Sequence, residues 1–271
     1  MTLSSASVTM LAACAARASF ADRLQDSFSN EILRHLPDAD AKRDTLDQAS
    51  RGMFSRSILL RTLYFRERLR ATLRPGSQLV LLSHGLDCEL MKSGEHALFA
   101  VDHPASQRFT RAALEAAKID VRVQFIAHDF ARDTPSQLWS SLRAAGFSAD
   151  AHSVVLWEGA TYYLPETAVV PVLSSFASRC ARVDLFADFL NHGGYFVNGR
   201  VVSPGVGQSL AFVESLGEPW VGFFQTDTLS RTLQDAGFQS VNCEDRSGVE
   251  QRILGERLMQ PNMMFFMEAH K

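Results

Sequence analysis

The apolar run Leu79-Val80-Leu81-Leu82 breaks at Ser83-His84-Gly85 and continues into Leu86-Asp87. A second run, Ala97-Leu98-Phe99-Ala100-Val101, ends in an acid, Asp102. A strand, a glycine turn and an acid closing the next strand, roughly twenty residues on, are the parts of a nucleotide-binding βαβ unit. The glycine lets the backbone approach a ligand, and the carboxylate can accept from both hydroxyls of a ribose. His84 sits inside the turn, where an imidazole could act as a general base near neutral pH.

These residues need a scaffold, and the flanking periodicities describe one. Residues 1–75 read as helical, without a convincing strand. Ser55 to Leu73 places Ile58, Leu59, Thr62, Phe65 and Leu69 on one face, with Arg56, Arg61, Arg66, Arg68 and Arg70 in the polar remainder. Arg74-Pro75-Gly76 ends that helix. Val8 to Ala16 is apolar and rich in small residues, but no Lys or Arg precedes it. It therefore reads as an amphipathic helix rather than a secretory leader. From residue 77 strands and helices alternate, with strands at 79–83, 97–101, 121–126, 153–157, 183–190, 238–243 and 262–269. Helices fall at 104–117, 134–145, 165–179 and 227–236. This alternation predicts an α/β fold, a seven-stranded, mostly parallel sheet with helices on both faces and an N-terminal helical extension. The runs Val154-Val155-Leu156-Trp157 and Met263-Met264-Phe265-Phe266 suit strands buried on both sides. Residues 191–226, rich in glycine, read as a loop-rich insertion with a helix near 206–216. The expected organisation is a helical cap over 1–75 and a Rossmann-like domain over 76–271.

The chain has 271 residues, 46% apolar and 21% charged, with a net charge of −3. That balance gives no footprint for nucleic acid or an anionic membrane. No apolar run is long enough for a bilayer. Cys14, Cys88, Cys180 and Cys243 are widely spaced, without a CxxC pair or metal-ligand spacing, and read as free thiols. A metal-free cytoplasmic protein working on a small molecule, as monomer or homodimer, is the expectation.

Further motifs follow in order: Arg61-Thr62 before the first strand, Val101-Asp102-His103-Pro104 after the second, His128-Asp129-Phe130 after the third, and Trp157-Glu158-Gly159-Ala160-Thr161-Tyr162-Tyr163-Leu164 after the fourth. Together they resemble the leucine carboxyl methyltransferase-like family of class I S-adenosylmethionine-dependent methyltransferases. The resemblance implies S-adenosylmethionine as cofactor. Arg61 would then pair with its carboxylate, Ser83 and Gly85 would line its amino-acid end, Asp102 with His103 would serve the ribose, and Asp129 with Phe130 the adenine. Glu158 would sit by the methionine part. A cationic sulfur is attracted to aromatic faces, which points to Trp157, Tyr162 and Tyr163. Alternation along an extended segment would turn only one of the two tyrosines to the pocket. Asn191 and His192, opening the insertion, are either ligand contacts or turn formers.

The sequence departs from the family at Ser83-His84-Gly85, where Gly-Ala-Gly is usual, and at Cys88-Glu89. Two reactions suit the same ligand. One is methyl transfer to the oxygen of a small specialised-metabolite acid. The other is cyclisation of the ligand itself, with loss of methylthioadenosine, as in azetidine-2-carboxylate synthases. Tyr163, Tyr162, His84 and Asn191 are the candidate catalytic residues. A non-catalytic nucleotide-binding protein is the remaining alternative.

Overall fold

A computed structural model describes residues 7–92 and 95–271. Five helices come first: α1 (Val8–Ser19), α2 (Ala21–Leu24), α3 (Phe28–Leu33), α4 (Ala39–Ser50) and α5 (Met53–Thr72). The strands are β1 (Gln78–Leu82), β2 (Ala97–Asp102), β3 (Gln124–Ala127), β4 (Ser153–Trp157), β5 (Val183–Asn191), β6 (Phe196–Val197), β7 (Arg200–Val201), β8 (Phe223–Phe224), β9 (Ser240–Asp245) and β10 (Met264–His270). Between them lie α6 (Pro104–Ala116), α7 (Pro135–Ala144), α8 (Glu166–Arg179), α9 (His192–Tyr195), α10 (Pro204–Ser215), α11 (Thr226–Asp235) and α12 (Arg246–Leu254).

The main sheet runs β3-β2-β1-β4-β5-β10-β9, with β8 joined to the end of β5. Only β10 runs against its neighbours. The sequence is thus right about the mostly parallel α/β sheet, and the short β8 is an addition to the seven expected strands. β1 and β4 are buried at every position, as the apolar runs require of strands covered on both faces. Val80, Leu82, Val155 and Trp157 face a core shared with α7, α8 and α11. Leu79, Leu81, Val154 and Leu156 face a second core shared with α1, α3, α5, α6 and α12. The N-terminal helices therefore form one of the two layers over the sheet.

Three local expectations change. The third strand is at 124–127 rather than 121–126; Val121 and Val123 pack on the core without joining the ladder. α12 has no counterpart in the periodicity reading. The insertion contributes α10 near its expected place, together with α9 and the β6–β7 hairpin. Among the described residues no helix is long and apolar enough to cross a membrane.

Candidate active site

The first, second and fourth strands end beneath a cavity of about 1180 Å³, walled by α1, α5 and α10. Ligands of open α/β sheets bind at this end of the strands. Arg61, Ser83, His84, Gly85, Asp102, His103, Asp129, Phe130, Glu158, Tyr162 and Tyr163 all line it.

The turn after β1 is built to hold a shape. Gly85 has φ +53°, and a Cβ there would approach the Met10 side chain at 3.2 Å. Ser83, where the family usually has glycine, is also left-handed, with φ +55°. A residue with a Cβ adopts that conformation at a cost of about 1–2 kcal/mol. Asp102 fixes the turn from the end of β2. Its Oδ2 accepts from the Gly85 N–H at 2.9 Å and its Oδ1 from the His103 N–H at 2.7 Å. Each oxygen keeps further acceptor capacity for a ribose hydroxyl. The cap of α6 is His103 itself, whose Nδ1 accepts from the Ala105 N–H. His84 Nδ1 lies 2.9 Å from the Gly85 carbonyl and so carries the proton. Burial lowers the His84 pKa, leaving a neutral ring whose Nε2 is enclosed without a partner.

A buried charge network fills the part of the cavity floor beside Arg61 and Glu158. Arg61 Nε donates to Glu158 at 2.8 Å and Nη1 to the Tyr162 hydroxyl at 3.0 Å, with Asp188 at 3.8 Å. Burial pushes the Glu158 and Asp188 carboxyls up, against the pull of Arg61. Asp87 goes the other way: burial opposes its charge, but Arg17 and Arg66 outweigh it and hold its pKa low. Arg66 bridges Asp26 at 2.8 Å and Asp87 at 3.1 Å. Arg61 and Arg66, which periodicity puts in the polar remainder of α5, are both under 10% exposed. Gly159 makes this packing possible. With φ +73°, it presents no side chain where a Cβ would stand 2.6 Å from Arg61 Nη2.

The two tyrosines lie in a 3-10 turn, Thr161–Tyr163, not in an extended segment. Both therefore reach the cavity, and the expectation of a single inward tyrosine is corrected. Burial raises both phenols, that of Tyr163 to about 12, so both remain protonated. The Tyr163 hydroxyl bonds Thr9 at 3.1 Å, and Glu218 of the insertion accepts from the backbone and side chain of Thr9. The start of α1 and the insertion are thus tied together over the cavity.

Other placements are less central. Phe130 is buried, its ring 4.8 Å from that of Trp157, and Asp129 accepts from the Ala131 N–H. Trp157 is wholly core and outside the cavity wall. Asn191 also lies outside it, accepting from the Gly193 N–H as the cap of α9, so the turn-forming alternative holds for that residue. Asp87, Gly159, Asp188, Arg17 and Arg246 belong to the site and its support, although periodicity gave no reason to select them. Asp188 carried a signal in retrospect: it is an acid inside the apolar run of β5. No group of His, Cys, Asp or Glu among the described residues has a metal-binding arrangement.

A family model described as leucine carboxyl methyltransferase matches residues 5–177. A protein of Streptomyces avermitilis, named on inference as an S-adenosyl-L-methionine-dependent methyltransferase, is 28% identical over 74% of this chain and 71% of its own. A protein of Mycobacteroides abscessus with the same kind of name is 29% identical over 66% of this chain and 65% of its own. Among solved structures, a possible exported protein of Bordetella parapertussis aligns with a TM-score of 0.50 and 16% identity, covering 77% of this chain and 66% of that one. Phosphoethanolamine N-methyltransferase 2 of Haemonchus contortus, bound to S-adenosylhomocysteine, aligns with a TM-score of 0.50 and 11% identity, covering 77% of this chain and 52% of that one. At these identities the solved structures bear on the fold alone.

Proposed function

The chain belongs to the leucine carboxyl methyltransferase family, whose members use S-adenosylmethionine, and on that premise we propose that it methylates a carboxylate oxygen of a small acid. S-adenosylmethionine supplies, when bound, a methyl group on a sulfonium; transfer breaks its carbon–sulfur bond, forms a carbon–oxygen bond and leaves S-adenosylhomocysteine. The donor set on this chain fits that ligand. Arg61 offers a guanidinium for a carboxylate, a pairing of matched geometry. Asp87 Oδ2 is buried without a partner, an acceptor suited to an ammonium. Asp102 suits the ribose hydroxyls, and Phe130 with Asp129 suits adenine. Tyr162 and Tyr163, held as neutral phenols, offer ring faces to a cationic sulfur.

One observation carries the proposal. Small-molecule sites commonly occupy about 300–1000 Å³. The cavity here, at about 1180 Å³, joins the polar motif residues to an apolar half. That half holds Tyr195, Val206, Trp220, Met263 and Met264. Space for a second molecule favours transfer over cyclisation, which needs only one. A carboxylate acceptor is already ionised at neutral pH and requires no base. The chain's contribution is then positioning and exclusion of water.

Mass spectrometry of the nucleosides tests this reading. S-adenosylhomocysteine and a methyl ester should form only when the protein is given both S-adenosylmethionine and a small carboxylic acid. Methylthioadenosine released from S-adenosylmethionine alone would overturn methyl transfer in favour of cyclisation.

A further inference from the structure

Arg246 opens α12 and lines the apolar half of the cavity. Its surroundings set it apart from the other arginines of this layer. Arg17, Arg56, Arg61, Arg66 and Arg68 each have an ion-pair partner. Arg246 has none among the described residues. Its Nε is enclosed and makes no hydrogen bond. Nη1 reaches only the Ser57 hydroxyl at 3.2 Å and the Met264 sulfur at 2.8 Å. Burial pulls its pKa below the usual value, which marks a cation with little compensation. Tyr195, Asp245, Asp188 and Glu250 act on it through space but supply no direct pair.

A desolvated guanidinium is costly unless something satisfies it. This one stands beside Tyr195 and Met264, within the cluster that also contains Trp220 and Met263. Arg61 serves the polar half, where it is already held by Glu158 and Tyr162. The second half therefore has a cation of its own, with apolar walls around it.

We propose that Arg246 receives the carboxylate of an apolar organic acid, the methyl acceptor, and so selects acids over neutral molecules of the same shape. The inference rests on the two-ligand reading of the cavity. It also gives product release a physical basis: esterification removes the charge that the guanidinium holds.

The test is calorimetry with S-adenosylhomocysteine present at saturation, using phenylacetate, cinnamate and octanoate and their primary amides as probes. At least one acid should bind the native protein about tenfold or more tighter than its amide. Arg246→Met should remove that preference, and Arg246→Lys should restore part of it. S-adenosylhomocysteine affinity should be the same in all three proteins, which also shows that the variants are folded. If no acid outbinds its amide, or if Arg246→Met keeps the preference, the proposal is overturned. Failure to bind S-adenosylhomocysteine would instead count against the cofactor reading, independently of Arg246.

Discussion

The helix α5 and the strand β5 each take part in two charge networks, one at either end of the sheet. At the carboxyl ends, Arg61 of α5 meets Glu158 and faces Asp188 of β5. Two turns further along α5, about 10 Å away by helix geometry, Arg68 meets Glu268 at 2.5 Å. There Asp184 of β5 lies 2.6 Å from both His152 and His270, and the Tyr64 hydroxyl donates to Glu268 at 2.6 Å. The two networks use similar residues and differ in completeness. Asp188 Oδ2, Asp87 Oδ2, Arg17 Nε, Arg66 Nε and His84 Nε2 are buried without hydrogen-bond partners at the cavity end, Asp188 Oδ2 and Arg17 Nε keeping only long ion pairs of 3.8 and 3.9 Å. Asp184, Glu268, Arg68, His152 and His270 leave no such atom at the other. Buried polar groups are ordinarily satisfied, so a cluster of exceptions calls for a partner such as ordered water or a ligand. The far network is paired and partly open to solvent, whereas the cavity network is buried and keeps donors and acceptors free.

Removing Arg61 should separate these two roles with the largest effect. Arg61→Ala leaves Glu158 and Asp188 buried without their cation, which should cost about 3–5 kcal/mol of stability. Adding Glu158→Gln should recover part of that in denaturant melts, yet S-adenosylhomocysteine binding should stay lost. Recovery of both would mean that the cavity network is only structural, and the contrast between the two ends would collapse.

Gly159→Ala probes the same network from the backbone. The left-handed conformation penalises a Cβ by about 1–2 kcal/mol. That Cβ would also press on Arg61 at 2.6 Å from Nη2. Weaker S-adenosylhomocysteine binding with only this modest loss of stability is expected; unchanged affinity would show that Arg61 need not hold its place.

The far network should respond to pH and not to ligand. His270 is raised from 6.5 to about 9, first by its hydrogen bond to Asp184 and then by the Glu268 carboxylate 3.8 Å away. A raised pKa stabilises the fold fully below the unfolded value and is lost as pH climbs through the folded one. Thermal stability should therefore decline between about pH 6.5 and 9 by an amount that His270→Gln removes. The effect is small because the ring is partly exposed, so salt and solvent screen it. A matching change in ligand affinity over that range would contradict the separation of the two ends.

The contrast also explains what the sequence disclosed. Strand runs such as 153–157 were readable because both faces are buried, and the apolar stripe of α5 was readable from its period. The depth of Arg61 and Arg66 was not, because their partners Glu158, Asp26 and Asp87 arrive from distant segments. Motif resemblance selected Arg61 where periodicity showed only one arginine among five in the polar remainder of α5. The inward turn of both tyrosines depended on a 3-10 conformation that alternation could not anticipate. Arg246 was invisible for a simpler reason: its distinction is the lack of a partner, which only three-dimensional packing reveals.

The central claim is that the incomplete network and the turn held by Asp102 form the S-adenosylmethionine site. Calorimetric titration of S-adenosylhomocysteine into the native protein and into Asp102→Ala, each with its melting temperature, tests it most directly. The account predicts binding to the native protein and an affinity lower by about 1.5–3 kcal/mol, roughly tenfold or more, in a variant that remains folded. Equal binding by both proteins, or none by the native one, would contradict it.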